Sequence, residues 1–154
     1  MPKIDIDQLA VRRGSSYPEP FAQCVRDRAR QVLGDAGGLT DFGVNLLRLP
    51  PGAWSSQRHW HSHEDEFVYV LSGELVLITD TGEQVLRAGD AAAFPKNHAD
   101  GHHLVNRSNE VAVCLEVGSR SDSDVASYPD IDLRWDAGHD YAHKDGRPYP
   151  KASE

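Results

Sequence analysis

Apolar runs long enough to cross a membrane are missing from this chain. So is an N-terminal hydrophobic stretch, because MPKIDIDQLAVRRG puts charges where a secretory signal needs its apolar segment. Cysteine is scarce: Cys24 and Cys114 are far apart and belong to no CxxC or CxxH pattern. Two lone thiols make no disulfide framework, so a reducing cytoplasm is the expected compartment. Cys114, inside the apolar run 111–115, reads as a small buried hydrophobe. Basic residues are also in short supply, with 16 Lys and Arg against 24 Asp and Glu and a formal charge of −8. A chain with that balance repels polyphosphate and has no Lys/Arg cluster to override the repulsion. Neither nucleic acid nor an anionic membrane surface is an expected partner.

What is present fits one core: 154 residues, of which 39% are hydrophobic. Residues 1–40 lack a clean period. Tyr17-Pro18-Glu19-Pro20 cannot be helix interior, Phe21 to Leu33 has room for a short helix but is studded with arginine, and residues 34–38 break whatever precedes them. This region reads as an arm wrapping the barrel or a neighbouring subunit. From Asp41 to Gly118 short β-type segments alternate with turn signals about every ten residues, the pattern of an all-β sandwich or barrel. Residues 119–154 are polar and turn-rich, and read as a tail without strands laid over that barrel.

Histidine carries the chemistry. Six of eight lie in two windows, His59-Trp60-His61-Ser62-His63 and His98 with His102-His103. On an extended strand, residues i and i+2 share a face about 7 Å apart, so two imidazoles at that spacing can converge on one ion. A carboxylate after a tight turn and a third histidine from a neighbouring strand complete a set suited to divalent first-row metals.

Two segments then take on meaning together. The first runs Pro51-Gly52, a spacer, His59-Trp60-His61, Glu66 and Gly73; the second runs Gly89, Pro95, a loop, His102 and Asn106. In this order and spacing they resemble the two cupin motifs, and the resemblance covers residues 43–117. It implies a double-stranded β-helix (a cupin or jelly-roll barrel) over 41–118, flanked by the irregular arm and tail. It also implies His59, His61, Glu66 and His102 as ligands of one divalent transition metal: Zn, Fe, Mn or Ni. The family's turn length selects His59/His61 over His61/His63, leaving His63 to the turn. The spacers before His59 and before His102 are longer than the family's usual ones, and Asn97 stands where glycine is usual, a residue that also tolerates positive φ.

Around these ligands, Ser55 and Gln57 share the histidine face and are candidate substrate contacts, with a plain hydrogen-bonding role the competing reading. His63 and His98 are loop histidines with a rim role as the alternative. Trp54, Arg58 and Trp60 are expected on the opposite face, and His103 outward or at an interface. A phosphorylated substrate needs basic residues at the rim, where Lys96 and Arg107 are nearest in sequence. Three histidines and a glutamate leave open positions on the ion, favouring a metalloenzyme (isomerase, lyase or Fe-dependent dioxygenase) acting on a small oxygen-rich molecule. A small-molecule binding or sensing cupin and an oligomeric scaffold are the alternatives. Tyr17, Phe21, Ile131, Trp135 and Tyr141 need burial outside the barrel, which predicts a homodimer with the arm crossing to the partner.

Overall fold

The computed structural model describes residues 3–150, so the ends of the arm and of the tail lie outside the described residues. It holds twelve strands. Eight form the barrel proper: β3 (Phe42–Leu49), β4 (Trp60–His61), β5 (Glu66–Ser72), β6 (Glu74–Thr79), β7 (Gly82–Arg87), β8 (Ala91–Phe94), β9 (His103–Val105) and β10 (Ala112–Ser119). The other four come from the flanks: β1 (Arg12–Arg13), β2 (Ala29–Val32), β11 (Val125–Ser127) and β12 (Arg134–Asp136). They assemble, all antiparallel, into a six-stranded sheet β1-β2-β3-β10-β5-β8 and two three-stranded sheets, β7-β6-β9 and β12-β11-β4.

The all-β jelly-roll expected from the motifs is what forms, and alternation explains its core. Leu47 and Leu49 of β3, Val68 and Val70 of β5, and Ala112 and Cys114 of β10 point inward. They meet Leu75 and Leu77 of β6, Leu86 of β7 and Leu104 from the facing sheet. Leu47, Leu49, Val70 and Leu75 are fully buried, each contributing about 1.5–3 kcal/mol relative to an exposed position. Burial pushes the Cys114 thiol well above its ordinary pKa, which leaves it an inert core residue. Gly73 joins β5 to β6 at φ +79°, and a Cβ there would stand 2.8 Å from the Cα of Ala112, so both conformation and space require glycine.

The flanks depart from the sequence reading. Where a short helix was allowed for, the arm makes a single 3-10 turn at Gln23–Val25, and then Ala29–Val32 pairs with residues 45–48 of β3; one turn of α-helix, Leu33–Ala36, stands where only a break was expected. The strand-forming part of the arm is thus committed to its own barrel. Past Gly118, β11 pairs with both β12 and β4, so the tail supplies strands too. The side chains that seemed to need a partner find burial within the chain: Tyr17, Phe21, Ile131, Trp135 and Tyr141 pack against Ala126, Tyr128 and Leu133 in a second apolar cluster. Short strands rich in Arg, Asp and Ser, without alternation, left no pattern in the sequence to find. No helix among the described residues is long and apolar enough to cross a membrane.

Candidate metal centre

Four short stretches meet at the barrel mouth. His59 and His61 flank Trp60, with His59 bridged to His102 across the gap between sheets and His61 paired to Ala126 of β11. Glu66 opens β5 on the inner face, the face of Val68 and Val70, and lies between Gly118 and Phe94. The side-chain donors of His59, His61 and Glu66 lie within 4.8 Å of one another. Nε2 of His59 is 3.6 Å from Glu66 Oε2, Nε2 of His61 is 3.5 Å from Oε1, and Nε2 of His102 donates to Oε2 at 2.7 Å. Three imidazoles therefore turn their Nε2 atoms toward one carboxylate.

The remote nitrogens explain why. His59 Nδ1 donates to the carbonyl of Gln57 at 2.8 Å, and His61 Nδ1 donates to Asp124 Oδ2 at 2.6 Å. Each bond fixes the tautomer that leaves Nε2 free to coordinate, the arrangement metal-binding histidines usually show. His102 is held differently: Phe94 stacks on its ring at 3.6 Å and 2°, and its buried Nδ1 has no partner. Such an orphaned nitrogen costs about 1–3 kcal/mol. Packing alone gives no reason to keep a histidine there, whereas an Nε2 aimed at the cluster does. The donor set, neutral nitrogen and carboxylate without sulfur, suits a divalent first-row ion.

Electrostatics agree with the crowding. Burial acts to raise the Glu66 pKa, but hydrogen bonds from His102, His59 and His61 outweigh it and hold the carboxyl well below its ordinary range. Burial also acts to lower the His61 pKa, yet Glu66 and Asp124 together raise it to about 9. The His102 pKa is lowered, chiefly by burial. The cluster lies between two hollows: a main cavity of about 420 Å³ and a smaller one of about 130 Å³, both bordered by Glu66, Phe94 and His102.

The remaining candidates scatter. Ser55 borders the main cavity, but its Oγ accepts the Leu104 N–H; Gln57, 7% exposed, donates to the carbonyl of Phe21. His98 borders the smaller cavity, while His63 sits in the exposed turn against Ser62 Oγ. His103 is not outward-facing as expected: it is 5% exposed, packs edge-on against Trp54 at 4.7 Å and donates to the carbonyl of Ser56. Trp60 borders the smaller cavity rather than facing away from the site, and Arg58 is tied to Asp130 and Asp80. Arg107 is paired with Glu83 at the surface, and the basic residues that do reach the main cavity are Arg28, Arg30 and Arg120. Asp124 was missed as well, because nothing in SRSDSD distinguishes it; its 1% exposure and its bond to His61 do.

The cupin-domain family profile matches residues 45–118. The fold superposes on the crystal structure of a sugar phosphate isomerase of the cupin superfamily from Silicibacter pomeroyi, with a TM-score of 0.91, 46% identity and coverage of 97% of each chain. A candidate sugar phosphate isomerase from Acidithiobacillus ferrooxidans follows at a TM-score of 0.71, with 34% identity over 82% of each chain. A polyketide cyclase from Streptomyces resistomycificus shares the fold at a TM-score of 0.61 and 20% identity, over 77% of this chain and 79% of that one. No match is found among the curated proteins. The chain belongs to the cupin superfamily, with a His/Glu cluster that could hold a metal ion.

Proposed function

We propose that this chain is a metal-dependent isomerase acting on a phosphorylated sugar. The observation that carries the reading is the convergence of three Nε2 atoms on Glu66 at the edge of a cavity of about 420 Å³. Its likeness over 97% of its length to a protein described as a sugar phosphate isomerase supports the choice of reaction. His59, His61, Glu66 and His102 would hold one divalent ion, whose contribution when bound is Lewis acidity toward a carbonyl or hydroxyl oxygen. The chain's own residues do the rest. Asp124 holds the His61 proton on Nδ1, and Phe94 fixes the plane of the His102 ring.

Metal analysis of purified protein, followed by incubation with aldose and ketose phosphates and NMR detection of their interconversion, tests the reading. About one equivalent of metal per chain and interconversion lost on chelation is the expected result. Absence of turnover across pentose and hexose phosphates with the metal in place would overturn it, and O₂ uptake by an iron-loaded sample would move the protein to the dioxygenase class. A homodimer belongs to the same proposal. Phe67, Tyr69 and Leu71 alternate outward along β5 and are 38–44% exposed, an apolar strip that a second copy would cover. Light scattering giving a monomer mass would refute it.

A further inference from the structure

The main cavity has a second polar wall, away from the imidazoles, built by the strand the sequence concealed. Arg30 lies opposite Leu47 in the β2–β3 ladder, and Leu47 is a fully buried residue of the barrel's inner face; Arg30 therefore points the same way, into the barrel. Glu116 and Asn45 stand opposite each other one step along that face, in the β3–β10 ladder. All three border the same cavity as His59 and Glu66.

The arginines on this wall differ in what they hold. Arg28 spends Nε on the carbonyl of Gly14 at 2.9 Å and Nη1 on the carbonyl of Ser55, so it is a fixed strut that brings its charge to the cavity. Arg120 is engaged by Asp35 and the carbonyl of Leu39. The Arg30 guanidinium makes no side-chain hydrogen bond among the described residues, and the titratable groups acting on it are Arg28, Glu116, Arg12 and Tyr141. Burial, reinforced by Arg28, lowers its pKa, while Glu116 acts the other way. The Glu116 pKa is raised, chiefly by burial, so its negative charge is itself disfavoured. A guanidinium with unspent donors, beside a second cation and a carboxyl reluctant to ionise, is an anion site waiting for its anion.

We propose that Arg30, with Arg28 behind it, is the specificity-determining residue that grips the phosphate of the substrate while the sugar's oxygens face the His/Glu cluster across the cavity. The placement of the sugar's oxygens at the His/Glu cluster rests on the isomerase reading; the grip of Arg30 on an anion does not. The net charge of −8 makes the assignment selective: one inward-facing wall, not the surface as a whole, attracts the anion.

The test is calorimetric titration of the metal-loaded protein with ribose 5-phosphate, ribose and ribonate, repeated on Arg30→Gln, Arg30→Lys and Glu116→Gln. The parent is expected to bind ribose 5-phosphate roughly tenfold or more tighter than ribose, the scale of one charge-assisted pair. Arg30→Gln should erase that preference, Arg30→Lys should keep part of it, and Glu116→Gln should tighten ribose 5-phosphate by removing the competing carboxylate. Should Arg30→Gln not fold, the Glu116→Gln and Arg30→Lys titrations decide. An Arg30→Gln preference equal to the parent's, a Glu116→Gln affinity weaker than the parent's, or a preference for ribonate would each overturn the proposal. If the metal-free chain shows the same Arg30-dependent preference but no isomerase activity appears on loading, the phosphate site stands and the isomerase reading falls.

Discussion

Asp124 holds His61 through a 2.6 Å bond between Oδ2 and Nδ1, and its other oxygen accepts the backbone N–H of His63 at 2.9 Å. One buried carboxylate thus orients a candidate ligand and ties down the turn that follows it. Asp124→Asn retains the shape but can no longer accept from both with full charge. Metal affinity is expected to fall by about 10–100-fold, the usual effect of removing the partner behind a ligating histidine. Competition against a chromophoric chelator measures it; unchanged affinity would mean that Asp124 serves only the turn.

Protons and metal compete for His61. With no ion bound, its pKa of about 9 means the imidazolium is held between Glu66 and Asp124 at neutral pH. Metal binding at pH 7 is then expected to release about one proton from this side chain, and the release should fade as pH rises through about 9. Titrations in two buffers of different ionisation enthalpy read the number directly. Zero release at pH 7 contradicts the assignment of His61 as ligand.

His61→Ala and His63→Ala separate the cluster from the turn. The first is expected to lose the metal while retaining most of the fold, because the core under it is apolar. The second, a change in an exposed ring resting on Ser62, should retain one equivalent. Elemental analysis of both variants suffices, and metal loss in His63→Ala would shift the ligand register by two residues.

Asn106 closes the second motif but not the metal cluster. It is fully buried, donating from Nδ2 to the carbonyls of Leu49 and Glu110 at 2.7 Å each and accepting from Ser108. Asn106→Ala takes the side-chain donor from the buried Leu49 carbonyl, while the exposed Glu110 carbonyl keeps Ser108 Oγ, so urea unfolding should show a loss of about 1–3 kcal/mol. Near-normal stability would contradict this.

Glu116 predicts a pH signature. Its folded pKa is raised above the unfolded one, so its contribution to stability is favourable below the ordinary glutamate range and is lost as pH climbs through the folded value. Glu116→Gln removes the titration. The variant is expected to melt higher than the parent at pH 7 and to converge with it near pH 4, by calorimetry on the metal-free chains. A parent that is the more stable at pH 7 would show Glu116 to be paired.

The barrel was legible because its strands alternate and its turns carry glycine: 66–72, Gly73 and 74–79 announce two strands and a break. The convergence of His59, His61, Glu66 and His102 was legible because i, i+2 spacing sets two imidazoles on one strand face and the resemblance to the cupin motifs singled out the other two. Arg30 and Asp124 were not. Arg30 lies in a strand of four residues and Asp124 immediately before one of three; the pairing of both strands is decided by what lies beside them in space, and neither segment carries a period. His103 misled because alternation from His102 turned it away from the cluster, while Trp54 waited there to bury it.

The joining of β11 to β4 has a consequence in time. During synthesis every candidate ligand, through His102, leaves the ribosome before Asp124 does, and Asp124, just ahead of β11, is what fastens His61 from behind. A nascent chain that has closed its barrel around β10 already contains the groups that hold His59 and His102, but not the one that holds His61. If the cluster holds a metal as proposed, the site is complete, with His61 oriented, only once the segment after Gly118 has docked.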